Sequence, residues 1–368
     1  MKRWFVLLAA VMLCCVPSLG IGHAAAPIAS EQPDPPLMAY YYQWFDAGSW
    51  RRGKIDLPVL GPYSSDDHRV VRQHIRQAKA AGIDGFITSW KDTPKNDRRL
   101  ELLMRVAKSE DFRLAMIYQG LDFGRRPLPT DRVLADFRTF RDRYASDPVF
   151  LRLGGRPLTI LSGTWRFSHR DVARVTSAVR RDLLVLATER NVDGYRRIAN
   201  VTDGDAYYWS SLNPETYPDS EGKLCDMARA VHADGKYWIA PFAPGFDARR
   251  VGGRSSVPRR DGRTLRTEYT AAVASAPDVL GLISWNEFSE NTHVEPSRSF
   301  GTRYLQVLRE LHGGPNLPPT ARVGDSSDGT GAPSVERVVL VTAGIGVPVV
   351  LIACAAARRR KQSRGVSG

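Results

Sequence analysis

Cysteine is scarce where it would matter. The 368-residue chain has four; Cys14 and Cys15 sit in an apolar run near the start and Cys354 in another near the end, which leaves Cys225 alone in the body. A single thiol makes no intramolecular disulfide, so the body must be stable through its core. Cys225 itself reads as a buried small hydrophobe on a helix. Several enzyme motifs are also missing. No GxGxxG follows a strand-like run, and there is no Walker loop and no HExxH. Dinucleotide, nucleoside triphosphate and zincin chemistries therefore have no foothold. No basic helix is interleaved with aromatics, so nucleic acid is not an expected partner. No internal repeat is evident, which sets solenoids and propellers aside. His293 and Glu295 find no third partner for a metal, and neither metal nor cofactor is expected.

What is there begins with an ordinary globular composition, 43% hydrophobic and 25% charged, in a chain long enough for one large core. The formal net charge is +13. Lys2, Arg3, Arg358, Arg359, Arg360, Lys361 and Arg364 flank the two terminal apolar runs, and taking those seven from +13 leaves about +6. Such an excess reads as a solvated face, with affinity for acidic glycans or envelope polymers as the sharper alternative. Residues 1–26 read as a secretory signal peptide, with Lys2-Arg3, the apolar stretch from Trp4 to Val16, and small residues before Pro27. Val338 to Ala357 carries no charge and would reach about 30 Å as a helix, one bilayer core. Arg358-Arg359-Arg360-Lys361 follows at once, as a positive-inside stop signal does. The expectation is a single transmembrane helix over 338–357, a basic cytoplasmic tail over 358–368, and a Gly/Pro/Ser-rich stalk over 313–336. The protein would be secreted and anchored in the plasma membrane with its domain extracellular. Leu317-Pro318-Pro319-Thr320-Ala321 resembles a sortase motif with Ala321 in place of glycine, so wall attachment is the less favoured rival.

Between these ends, short apolar strands alternate with amphipathic helical stretches. Strands are expected over Met38–Phe45, Ile83–Trp90, Arg113–Tyr118, Pro157–Leu161, Leu183–Ala187, Asp205–Trp209, Tyr237–Pro241 and Val279–Ser284. That order predicts a (β/α)8 TIM barrel over residues 37–312. The strand ends are repeatedly aromatic and polar: Tyr42-Gln43-Trp44, Ser89-Trp90, Tyr118-Gln119, Tyr207-Tyr208-Trp209 and Trp285-Asn286-Glu287. A barrel gathers these ends on one face, and aromatic platforms among hydrogen-bonding groups suit sugar rings. One aromatic alone is ordinary core; five strand ends together point to a cleft. The stretch from Leu282 to Glu295 is the densest, with Glu287, Glu290 and Glu295 beside Trp285 and Phe288. Carboxylates near aromatics can have their ionisation split, one held as an acid and its neighbour as a base. One glutamate alone would be a solvated turn; three in fourteen residues read as chemistry.

The order Tyr41-Tyr42-x-Trp44-Phe45, Gly61-Pro62-Tyr63-Ser64-Ser65, Ala81-Gly82-Ile83-Asp84-Gly85-Phe86, Pro244-Gly245-Phe246 and Trp285-Asn286-Glu287-Phe288-Ser289-Glu290 resembles glycoside hydrolase family 99, which includes endo-α-mannosidases and endo-α-mannanases. The resemblance covers most of residues 38–312 and implies a (β/α)8 barrel. It implies a retaining endo-glycosidase for α-linked, mannan-like poly- or oligosaccharides. Glu290 would be the general acid/base, and Glu287 the carboxylate assisting from the sugar 2-hydroxyl through an epoxide-like intermediate. Tyr42, Trp44, Trp90, Tyr208, Trp285 and Asn286 become candidates for lining sugar subsites, and Arg249 for reaching hydroxyls or an acidic group. The chain departs from the family pattern in three places. Asn291 stands where glycine is usual, Ser289 where histidine is frequent, and Tyr118 or Gln119 near the end of strand three where an acid is expected. These departures motivate the alternative of a non-catalytic glycan-binding barrel at the cell surface.

Overall fold

A computed structural model describes residues 34–312 apart from Arg52. From Pro35 onward eight parallel strands alternate with eight α-helices, with a short strand at Arg152–Leu153 and a two-stranded ladder of Phe246–Asp247 and Ser256–Val257 as additions. The order is β1 (Leu37–Tyr41), α1 (His68–Ala80), β2 (Gly85–Trp90), α2 (Pro94–Ser109), β3 (Arg113–Gln119), α3 (Thr130–Arg143), β4 (Arg156–Ser162) and α4 (His169–Ser177). There follow β5 (Leu184–Leu186), α5 (Val192–Ile198), β6 (Gly204–Asp205), α6 (Ser220–Ala233), β7 (Tyr237–Phe242), α7 (Arg263–Ala274), β8 (Val279–Leu282) and α8 (Arg303–Leu311).

Neighbouring strands pair in parallel: β1 with β2, β2 with β3, β3 with β4, β4 with β5, β6 with β7, β7 with β8, and β8 back to β1. The remaining seam, between β5 and β6, is one parallel bridge from Ala187 to Asp205. There Ala187 N–H donates to Gly204 O and Ala206 N–H to Ala187 O. The result is a (β/α)8 barrel-like fold with one thin seam. Gly204 fits that seam because it has no Cβ; one built there would lie 1.9 Å from the Tyr237 carbonyl oxygen.

The strand period of two divides the core. In β1, Leu37, Ala39 and Tyr41 pack outward under the helices, while Met38 and Tyr40 point into the barrel with Ile87, Ile117, Ile160 and Ile239. Both faces are apolar, as a parallel sheet covered on both sides requires. Helix starts follow local chemistry. Asp67, Thr93, Ser168 and Asn191 each accept a backbone N–H at the first turn of α1, α2, α4 and α5, filling donors the helix leaves open. Gly82, at φ +84, turns the chain out of α1.

The structure departs from the sequence expectation at several points. The sixth strand keeps only Gly204–Asp205, because Ala206 to Trp209 turn out of the sheet toward the strand-end face. Helix α5 was not anticipated, since its seven residues bury only Tyr195 and Ile198, too short a stripe to read. Cys225 is half-buried rather than buried, with its thiol 3.7 Å from Ala274 O on the neighbouring helix. The signal peptide (1–26), stalk (313–336), transmembrane span (338–357) and tail (358–368) lie outside the described residues. Among the described residues no helix is long and apolar enough to cross a membrane.

Candidate active site

The chain leaves β8 and folds its loop back on itself. Trp285 N–H donates to Tyr40 O at 2.8 Å, Ser284 N–H to Thr292 O at 2.9 Å, and Val294 N–H to Ser284 O at 3.0 Å. Ser284 Oγ accepts Glu287 N–H at 2.8 Å and meets the Thr292 hydroxyl at 3.0 Å. Asn286, fully buried, splices this loop to the end of β1. Its Oδ1 accepts Tyr42 N–H at 2.8 Å and its Nδ2 donates to Tyr42 O at 3.0 Å. The loop is braced from two further directions. On one side Asp56 Oδ1 accepts the N–H groups of Leu57 and Ser299, and burial and the Arg259 charge hold His293, 3.4 Å from Asp56, near pKa 3 as a neutral ring. On the other, Arg259 donates to the carbonyls of Asn291 and His293, each at 2.8 Å. Asn291 has φ +53. Glycine and asparagine are the residues that occupy this left-handed region most readily, which accounts for asparagine at a position where the resemblance predicts glycine.

This scaffold holds Glu287 buried and Glu290 half-buried. Burial, and then the charge of Glu287, push Glu290 up to about 8. Burial also raises Glu287, but the Lys54 ammonium and the Ser289 N–H, which donates to its Oε1 at 2.8 Å, oppose that rise. Lys54 is itself fixed by donating to Ser289 Oγ at 2.7 Å. The pair is therefore divided by its surroundings. Among the described residues no donor is hydrogen-bonded to the Glu290 carboxyl, and the Arg125 charge does not offset its rise, so it keeps its proton at neutral pH; Lys54 and the N–H groups of Ser289 and Glu290 favour the charge of Glu287. The hydroxyls of Tyr42 and Tyr208 share a 2.6 Å hydrogen bond. Both phenols are raised by burial and feel both carboxylates, which puts them beside the acid pair.

Of the expected site residues, Glu287, Glu290, Tyr42 and Tyr208 come together. Trp44 stacks on Tyr42 with ring centres 4.2 Å apart and is 36% exposed, so it has a face to offer. Asn286 lies behind the site and holds its backbone. The guanidinium of Arg249 is engaged with Asp247 at 2.6 and 2.9 Å, and Asp247 N–H donates to Glu290 O at 2.7 Å. Arg249 is thus on a neighbouring exposed turn. Trp90 and Trp285 require correction. Trp90 is 1% exposed, donates to Asp97 and packs on Phe140 and Tyr144; Trp285 is fully buried against Phe86 and His74. Each points outward into the strand–helix layer, so neither can be a sugar platform. Glu295 also leaves the cleft: it accepts from Tyr63 at 2.8 Å and lies 3.2 Å from His74 Nε2, whose other ring nitrogen meets Tyr41. Sequence reasoning missed Lys54, an isolated lysine in a long loop with no local signal. Among the described residues, no group of three His, Cys, Asp or Glu is placed to hold a metal ion.

A parallel barrel-like fold carrying two unequally ionised carboxylates in an aromatic strand-end cleft has the build of a glycoside hydrolase. Comparison with known proteins agrees. The family described as glycosyl hydrolase family 99 matches residues 53–311, and the chain belongs to that family. The glycoprotein endo-alpha-1,2-mannosidase of Rattus norvegicus is 21% identical over 300 residues, spanning 75% of this chain and 64% of the rat protein. A human glycoprotein endo-alpha-1,2-mannosidase-like protein is 22% identical over 344 residues, 77% of this chain and 74% of the human one. Among solved structures, the GH99 endo-alpha-mannosidase from Bacteroides thetaiotaomicron superposes with a TM-score of 0.66 at 18% identity, over 75% of this chain and 96% of that one. At that identity the likeness speaks for the fold.

Proposed function

We propose that this protein is a retaining endo-glycosidase that cleaves α-linked, mannan-like glycans with Glu287 and Glu290. The observation that carries the reading is the divided acid pair, with Glu290 pushed up to about 8 and Glu287 opposed in its rise by Lys54 and the Ser289 N–H. In the first step Glu290 gives its proton to the departing glycosidic oxygen. Glu287 takes the proton of the 2-hydroxyl, and that oxygen closes on the anomeric carbon as the bond to the leaving group breaks. In the second step Glu290, now ionised, takes a proton from water as the water oxygen attacks the anomeric carbon. The 2-oxygen recovers its proton from Glu287, and both carboxyls return to their starting state with two inversions, hence net retention. Tyr42 and Tyr208 present hydroxyls to the ring in this cleft, and Trp44 offers it an apolar face.

The names of the rat and human relatives support mannose as the sugar. The uncharged run over 338–357 and its basic tail support secretion and anchoring in the plasma membrane, with the barrel outside. The activity is tested with neutral α-mannan. Wild type is expected to release oligosaccharides, while Glu290→Gln and Glu287→Gln each lose about 10²–10⁴-fold in kcat, the range for removing a positioned acid or base. No release from any α-mannan, with polymer binding equal in wild type and both variants, would replace this reading with a glycan-binding barrel.

A further inference from the structure

The hydrolytic step leaves one strand-end patch unused. Trp165 and Arg166 lie in the turn after β4, Arg190 follows β5, and Arg125 is in the loop after β3. The guanidinium carbons of Arg190, Arg166 and Arg125 stand 3.6, 5.0 and 5.4 Å from the centre of the Trp165 ring. Beside them Lys223 Nζ lies 4.4 Å from the ring centre of Trp209 and 5.2 Å from that of Tyr207. The three arginines are exposed. Every one of these loops follows a barrel strand, so the patch shares the face that carries the acid pair. The charge of Arg125 favours the ionised form of Glu290, so the patch lies within electrostatic reach of the pair.

A directly paired acid is what the patch lacks: the charge of Glu189 reaches Arg190, but that carboxylate is bonded to Arg197. Elsewhere several buried or partly buried arginines of this chain have acids: Arg99 pairs with Asp66, Arg156 and Arg180 share Asp203, and Arg197 holds Glu189; Arg259 and Arg309 instead donate to backbone carbonyls. The acid next to Arg190 in sequence is thus already taken. Among the described residues no carboxylate forms an ion pair with Arg125, Arg166, Arg190 or Lys223. The Trp165 ring attracts a guanidinium by about 0.5–1 kcal/mol at an exposed site, but it supplies no negative charge. Partial burial and the charges of Arg125 and Arg166 already weigh against protonated Arg190. A cluster of like charges on the approach to a cleft raises the local concentration of anions. A guanidinium lying over an aromatic ring keeps its N–H edge free for a bidentate oxyanion.

We propose that the glycan cleaved here bears anionic groups, and that Arg125, Arg166, Arg190 and Lys223 form a subsite for one of them, with Trp165 and Trp209 as flanking platforms. The inference rests on the glycosidase reading and deepens it by naming the substrate class: a carboxylated, phosphorylated or sulfated α-glycan.

The test uses the full chain in its Glu290→Gln form, so that binding is read without turnover. Three probes share one backbone: neutral α-mannan, the same mannan partly oxidised at C6 to the uronate, and the same mannan phosphorylated. At low ionic strength at least one charged form should bind about tenfold more tightly than the neutral one, the scale of a charge-assisted contact. The preference should shrink with added salt. It should fall toward unity when Arg166→Gln and Arg190→Gln are combined, and survive when both are changed to lysine. Which charged form is preferred separates carboxylate from phosphate. Equal binding of all three probes, or a preference unmoved by the paired glutamine changes, would overturn the subsite. Wild-type hydrolysis is scored separately. Release from neutral mannan without charge preference removes the subsite and leaves the glycosidase. Charge-selective binding with no release from any probe does the opposite.

Discussion

Glu287 and Glu290 stand three positions apart on one loop, and what separates them is which neighbours each one meets. Glu290 meets burial and a like charge, while Glu287 meets Lys54 and a backbone N–H. The sign of two pH effects follows. The proposed mechanism needs Glu290 protonated and Glu287 ionised, so kcat/KM should fall on the alkaline side with an apparent midpoint near 8, read from a pH–rate profile on soluble mannan. Stability runs the same way. Glu290 releases its proton more readily in the unfolded chain, at about 4.3, than in the folded one at about 8. The folded state binds more protons between those values, so stability falls as pH rises through that window and then levels. Glu290→Gln removes this decline. Denaturant midpoints at about pH 5 and pH 9 should show a smaller loss for the variant than for wild type; an equal loss would count against the raised Glu290.

At the scale of elements, the site depends on a joint between β1 and the loop after β8. Asn286 makes that joint through both backbone groups of Tyr42, and its Nδ2 also reaches the Tyr63 hydroxyl at 3.3 Å. Tyr63 and His74 hold Glu295 beneath, so three segments far apart in sequence meet under the acid pair. Asn286→Ala strands two buried backbone groups, each worth about 1–3 kcal/mol when unsatisfied. It should therefore lower unfolding stability by roughly 2–6 kcal/mol. Because the variant also frees the segment that aims Glu287 and Tyr42, kcat should drop more than KM rises. Unchanged kinetics in a folded Asn286→Ala protein would show that the joint is not what positions the pair.

Across the whole molecule, the barrel delivers eight strand ends to one face, and the two chemistries found there are spatially distinct. The acid pair lies after β8, beside Tyr42 after β1. The cationic patch comes from the loops after β3, β4 and β5, with Lys223 of α6. On the proposed reading, a long glycan engages both at once. Anchoring belongs to this scale as well. The full chain should partition with membranes and resist alkaline carbonate extraction, while a chain ending at His312 should be released to the medium. Recovery of the full chain in the soluble fraction would overturn the span proposed for 338–357.

Much of this was written locally. The alternation of apolar strands with capped helices fixed the fold class, because strand period, helix period and cap chemistry are short-range properties. The cluster from Trp285 to Glu290 marked the site for the same reason: its chemistry lies within six consecutive residues. Other features had no local trace. Trp90 and Trp285 read like Trp44 in sequence, yet strand register turned them into the outer core and left Trp44 at the mouth. Lys54 became a partner of the acid pair only because Asp56 ties its loop to residues 296–299, more than two hundred positions away. The convergence of Arg125, Arg166 and Arg190 on one indole required three separate loops to meet. Period and composition are carried by neighbours along the chain; charge balance and exposure are set by neighbours in space, and only the closed barrel supplied those.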